Sequence, residues 1–130
     1  MFALTSLVTV IALIVYFVMV INVGRARNKY GVKLPQTTGN PDFERVLRVQ
    51  QNTVEQIVLF LPALWLFAYY ISPLWGAVLG AVWVVGRILY AWGYYQSVEK
   101  RLPGFAISSF STMVLIIGSL IGVILNLLKS

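Results

Sequence analysis

Four apolar stretches, each of about twenty residues or more, fill almost the whole of a 130-residue chain. They run from about Phe2 to Gly24, Asp42 to Ile71, Pro73 to Arg101 and Phe105 to Leu128. The hydrocarbon core of a bilayer is about 30 Å thick, and about 20 helical residues cross it. In that medium every backbone N–H and C=O must be bonded within the protein, and no strand-like alternation is visible, so the stretches are expected to be helices. Composition agrees. The chain is 59% hydrophobic and 11% charged, with a mean hydropathy of +0.83, and a soluble domain carries roughly twice that charged fraction. The first stretch has no charged leader and no small-residue cleavage pattern, and it runs directly into Arg25, so a retained span is expected rather than a cleaved signal.

Helix punctuation divides the stretches. In "GNPDFE", Asn40 can cap, Pro41 suits the first helical position, and Asp42 and Glu44 suit the first turn. In "ISPLWG", Ser72 and Pro73 repeat the pattern after a very short turn, and "RLPGF" at 101–105 breaks the third stretch from the fourth. The expected helices cover about residues 2–27, 42–71, 73–101 and 105–128. Short turns make neighbours antiparallel, which gives one domain over residues 1–130: an all-α, integral-membrane, up-down four-helix bundle. The one long connection is "NKYGVKLPQTTG".

The net charge of +6 gathers at one end. Arg25, Arg27, Lys29, Lys33, Arg45 and Arg48 flank the first connection, and Lys100 and Arg101 flank the third. The positive-inside rule places this end in the cytoplasm and both termini outside. For Arg25, Lys29, Lys33 and Lys100, topology and contact with anionic membrane lipid are sufficient explanation, and no nucleic-acid interface is implied. The chain has no cysteine and no histidine. It therefore has no thiol nucleophile, no imidazole base and no metal ligand set of the usual kind. Any thiol chemistry must use a thiol carried by a substrate.

Polar residues inside the second and third helices need another explanation. At 100° per residue Arg48, Asn52 and Glu55 share a sector of about 60°, with Gln51 and Gln56 on its flanks. Arg87, Tyr90, Tyr94 and Arg101 share a similar sector of the third helix, and Gly86 and Gly93 permit close approach there. Both stripes are expected to face inward, because polar groups at this depth usually face a bundle interior or a cavity. One reading is an ion-pair network, Arg48 with Glu55. The other is a site for an anionic ligand, since cations outnumber carboxylates. Arginine holds carboxylates bidentately, Glu55 can accept an ammonium, and Asn52 can both donate and accept. Glutathione fits that set, though other zwitterions fit it too.

The segments "GNPDFERVLRVQQNTVE" and "GRILYAWGYYQSVEKR" resemble the family of membrane-associated proteins in eicosanoid and glutathione metabolism, in particular its microsomal glutathione transferase (types 2 and 3) and leukotriene C synthase branches. The resemblance implies a homotrimer that binds glutathione, as co-substrate and without metal, between adjacent subunits at the cytoplasmic side. Carried over by position, Arg48, Asn52, Glu55, Tyr90 and Tyr94 would hold the tripeptide from one subunit, and Arg27 and Gln50 would reach it from the next. Arg101 would lie beside the sulfur and stabilise its thiolate. The implied function is a glutathione transferase, or a lipid-hydroperoxide peroxidase, in the bacterial inner membrane or endoplasmic reticulum, taking a hydrophobic electrophile from the bilayer. Two departures matter. Gln56 stands where the family often has tyrosine, and Asn28 stands where leukotriene C synthase has a second arginine, which argues against leukotriene synthesis. The alternatives are a non-catalytic lipid-binding scaffold of the same family and a small multidrug transporter. The intact Arg48, Asn52, Glu55 and Arg101 set argues against the first, and the lack of a carboxylate in the first helix argues against the second.

Overall fold

A computed structural model describes all of residues 1–130. Four antiparallel helices follow one another: α1 (Ala3–Tyr30), α2 (Pro41–Tyr70), α3 (Pro73–Gln96) and α4 (Leu102–Lys129), with a single 3-10 turn at Glu99–Arg101 before the last. All four are long and apolar enough to cross a membrane. The expected all-α membrane bundle is what the chain forms.

The predicted caps operate. The Asn40 side chain accepts from the Phe43 N–H at 3.0 Å, and Ser72 Oγ accepts from the Trp75 N–H at 3.2 Å. Each satisfies a donor that the first helical turn leaves free. Gly31 ends α1 in a left-handed conformation, with its N–H on the Arg27 carbonyl. Two boundaries differ from expectation. Helix α3 stops at Gln96, not Arg101, where Ser97 turns to extended backbone. Helix α4 starts at Leu102, with Pro103 and Gly104 inside its first turn, so "RLPGF" opens that helix rather than separating two. The reason is steric closeness. A Cβ on Gly93 would lie 2.1 Å from the Lys100 carbonyl oxygen, and one on Gly104 would lie 2.1 Å from the Tyr90 nitrogen. Glycine at both places lets the chain fold back on α3 and begin α4 against it, which the expected approach at Gly86 and Gly93 anticipates only in part.

The core occupies the middle of the bundle. Phe60 of α2 and Trp83 of α3 stack in parallel, 4.0 Å between ring centroids, and neither is exposed. Val8, Ala12, Leu64 and Leu115 close around them. The outside is the reverse of a soluble protein's: Phe17, Val58, Trp75, Phe110 and Leu120 all point outward, as a hydrocarbon solvent allows.

Candidate functional site

One turn beyond Trp83 toward the basic end, the core becomes polar. Arg87 is completely buried, and its guanidinium joins three helices. One Nη donates to Asn52 Oδ1 at 2.7 Å and to Thr53 Oγ1 at 2.9 Å, and the other donates to Ser108 Oγ at 3.3 Å. The guanidinium lies over the Tyr90 ring, 4.0 Å from its centroid, which is close enough for a cation–π contact. The ring in turn meets Tyr94 edge to face at 5.5 Å. Arg101, in the 3-10 turn, stands 5.8 Å above the Tyr94 ring, and its Nη1 donates to the Val98 carbonyl at 2.6 Å. A chain of contacts thus runs Asn52–Arg87–Tyr90–Tyr94–Arg101 across α2, α3 and the turn that follows.

Arg48 and Glu55 extend this array along α2, one turn to either side of Asn52, but not into the interior. Helix α2 buries Val49, Thr53 and Phe60, and it leaves Arg48 and Glu55 exposed on the outside of the chain. The expectation that the whole stripe faces inward is therefore corrected. Only Asn52, at its edge, turns toward Arg87. The reason is that Val49, Thr53 and Phe60 take the inner sector of the helix. Nor do Arg48 and Glu55 pair with each other. Arg48 donates to Gln51 Oε1 at 3.1 Å, and the chain's one ion pair joins Arg45 to Asp42.

Arg27 and Gln50 lie apart from the array. Gln50 Nε2 donates to Tyr16 Oη at 2.6 Å in the α1–α2 seam, about 200° around α2 from Asn52. Arg27 lies over the Phe43 ring and donates to the Gln36 carbonyl at 2.7 Å, closing the loop after α1. One chain therefore gathers Arg48, Asn52, Glu55, Tyr90, Tyr94 and Arg101, and holds Arg27 and Gln50 on a different face.

The residue that the sequence expectation left out of the site is Arg87. The signal was present, since it heads the α3 stripe. Spacing does not reveal that this arginine binds protein groups rather than facing a ligand. Its bond to Oδ1 has a chemical consequence. With that oxygen occupied, Asn52 presents its NH₂ outward and acts toward a ligand as donor. The accessible part of the array thus offers cations at Arg48 and Arg101, amide donors at Asn52, the half-buried Tyr94 phenol and one carboxylate at Glu55, with Tyr90 buried behind them. That set suits a zwitterion with more acidic than basic groups. No cluster of histidine, cysteine or acidic residues could hold a metal.

Sequence comparison places the chain among known proteins. An uncharacterised protein of Synechocystis is 62% identical over 122 residues, which is 94% of this chain and 89% of that one. Human microsomal glutathione S-transferase 2 is 45% identical over 93 residues, covering 72% of this chain but only 62% of the human protein, less than two thirds of its length. Leukotriene C4 synthase of Cavia porcellus is 34% identical over 128 residues, covering 98% and 85%. The MAPEG family model matches residues 5–121, nearly the whole bundle, and the chain belongs to the MAPEG family.

Proposed function

We propose that the chain is a membrane-bound glutathione transferase that joins glutathione to hydrophobic electrophiles taken from the bilayer, or reduces lipid hydroperoxides with it. The observation that carries this reading is the array at the basic end, Arg48, Asn52 and Glu55 beside Tyr90, Tyr94 and Arg101, in which cations exceed carboxylates and Glu55 has no partner. Glutathione would supply what is missing: two carboxylates for the arginines, an ammonium for Glu55, and amide carbonyls for the Asn52 NH₂. Arg27 and Gln50 would complete the site from the next subunit of a homotrimer, which accounts for their position on another face. The basic end, with the site, would face the cytoplasm.

In this reading the chemistry needs no base from the protein. A free thiol has a pKa near 8.5, and a fixed cation beside it favours the thiolate. Arg101 is the candidate cation. The thiol proton passes to water and the thiolate attacks an electrophilic carbon. A C–S bond forms while the bond to the leaving group breaks, the group departing with the electron pair, or an epoxide C–O bond opens and its oxygen takes a proton from water. With a hydroperoxide it attacks oxygen instead, and two glutathiones end as disulfide while the hydroperoxide becomes alcohol and water. The test is direct: purified protein, glutathione and 1-chloro-2,4-dinitrobenzene or a lipid hydroperoxide. Conjugate or disulfide should form above the uncatalysed rate and fall away in Arg101→Ala. Two inert substrates, together with calorimetry showing no glutathione binding, would overturn the reading.

A further inference from the structure

A second site runs along the seam between α1 and α3, away from the array. On α1, residues Ile14, Val18, Met19, Asn22, Arg25 and Lys29 recur at helical spacing, so one stripe continues for about 22 Å at 1.5 Å per residue. Its character changes along its length. Over the first half a groove of about 410 Å³ lies between Ile14, Val18 and Met19 of α1 and Ile88, Ala91 and Trp92 of α3, almost entirely apolar. At its end Asn22 Nδ2 donates to Tyr95 Oη at 3.2 Å. The same two residues begin a second hollow of about 480 Å³, whose wall carries Arg25, Lys29 and Tyr30. Arg25 and Lys29 are exposed, and neither is paired with a carboxylate. Arg27, by contrast, points to the other side of α1 over Phe43.

The profile matches a bilayer at each depth: hydrocarbon groove, aromatic and amide belt at Trp92, Tyr95 and Asn22, then cations. We propose that this seam is a specific site for an anionic glycerophospholipid of the surrounding membrane. One acyl chain lies in the groove, Asn22 and Tyr95 meet the ester region, and the phosphate is held by the Arg25 fork and the Lys29 ammonium. Charge complementarity selects this occupant. A second protein helix would bring no anion to Arg25 and Lys29 unless it carried acidic residues, and the chain's own four acidic side chains, Asp42, Glu44, Glu55 and Glu99, lie on α2 and in the turn before α4. A zwitterionic lipid would fill the groove but brings its own cation to the same hollow. The site does not depend on the glutathione reading, and none of its residues belongs to that array.

Native mass spectrometry of the detergent-purified assembly, titrated with phosphatidylglycerol and with phosphatidylcholine, tests it. Retention of phosphatidylglycerol should exceed that of phosphatidylcholine by roughly tenfold or more, and Arg25→Gln with Lys29→Gln should remove that preference. Lys33→Gln with Lys100→Gln, which lowers the charge of the same end equally, should leave it intact. Val18→Trp, a change at an exposed position that blocks the groove, should lower retention of both lipids while Arg25 and Lys29 remain. Glutathione binding should be unchanged in all these variants. Equal retention of the two lipids, or an equal effect of the two double variants, would mean a diffuse electrostatic layer and overturn the site. Since the chain has no cysteine, Val18→Cys gives a clean probe. Oxidative cross-linking through it between copies would show the groove to be a subunit contact, and that too would overturn the proposal.

Discussion

Replacing Arg87 with methionine separates two roles that a buried arginine can have. In a membrane, an interhelical hydrogen bond contributes about 0.6 kcal/mol on average, so the three to Asn52, Thr53 and Ser108 come to roughly 2 kcal/mol. The contact with Tyr90 adds up to about 2 kcal/mol when desolvated. Against them stands the cost of taking a cation with no carboxylate partner out of water, several kcal/mol. The terms nearly cancel. Methionine is unbranched, apolar and adaptable enough to fill the space. Arg87→Met should therefore change the stability of the assembly by no more than about 2 kcal/mol. Glutathione affinity has no such cancellation. Without Arg87 the Asn52 amide is free to turn, and the loss of one oriented hydrogen bond, about 1 to 1.5 kcal/mol, weakens binding roughly tenfold.

The assay is calorimetric titration with glutathione beside thermal unfolding in the same detergent, with Thr53→Val and Ser108→Ala as companions. Those two residues bond the same guanidinium but do not belong to the exposed array. They should shift unfolding slightly and leave affinity within about twofold. An affinity of Arg87→Met within twofold of the parent would refute the claim that it holds Asn52 in place. A protein that no longer assembles would refute the cancellation.

Four further outcomes are expected. Glu55→Ala should weaken glutathione binding by about 2 kcal/mol, some thirtyfold by calorimetry, because a charged hydrogen bond is lost. Arg101→Ala should raise the pKa of bound glutathione, followed by the ultraviolet absorbance of its thiolate against pH, and lower turnover. Arg101→Lys should restore part of both, and a larger effect from Tyr94→Phe alone would move the role to the tyrosine. Gly104→Ala puts a methyl group 2.1 Å from the Tyr90 nitrogen and 2.5 Å from the Gly86 carbonyl oxygen, both rigid backbone, so unfolding on heating should come markedly earlier than in the parent. Native mass spectrometry should give three chains, and an active monomer would remove the role proposed for Arg27 and Gln50.

The number of helices, their order and the starts of α2 and α3 are legible in the sequence because lipid permits few solutions and because Asn40–Pro41 and Ser72–Pro73 are strong local signals. The end of α3 is not, since a helical period carries on to Arg101 on paper. What stops it is Lys100 folding onto Gly93, a contact between residues on opposite sides of a turn that periodicity cannot report. The array itself is half legible. Periodicity puts Arg48, Asn52 and Glu55 on one face, yet it cannot say which way that face turns, because the orientation of α2 is decided by Val49, Thr53 and Phe60 packing inward. The pairing of Arg87 with Asn52 joins residues 35 positions apart, and no spacing rule reaches that far.

The outward turn of Arg48 and Glu55 bears on assembly. Both lie on a helix whose later half is apolar and membrane-spanning, and neither has an oppositely charged partner in its own chain. Arg48 is near enough to the basic end to reach water along its own length. Glu55 is shorter and lies about 10 Å deeper by helical rise. Facing lipid, its carboxylate would cost about 2 to 3 kcal/mol. Turning α2 to bury it would bring Thr53 and Val49 out and break the Thr53 bond to Arg87, so the fold does not relieve the cost by itself. Under the proposed function cover comes from outside the chain, as a neighbour's side chains and the ammonium of the ligand. A second and third copy with glutathione between them meets that description, and Gln50 and Arg27, held on a face of their own, are the groups such a neighbour has to offer. On this reasoning Glu55→Gln should assemble at least as well as the parent without glutathione and gain less stability than the parent when glutathione is added. Equal stabilisation of the two proteins by the tripeptide would separate the carboxylate from the ligand and leave it to the subunit contact alone.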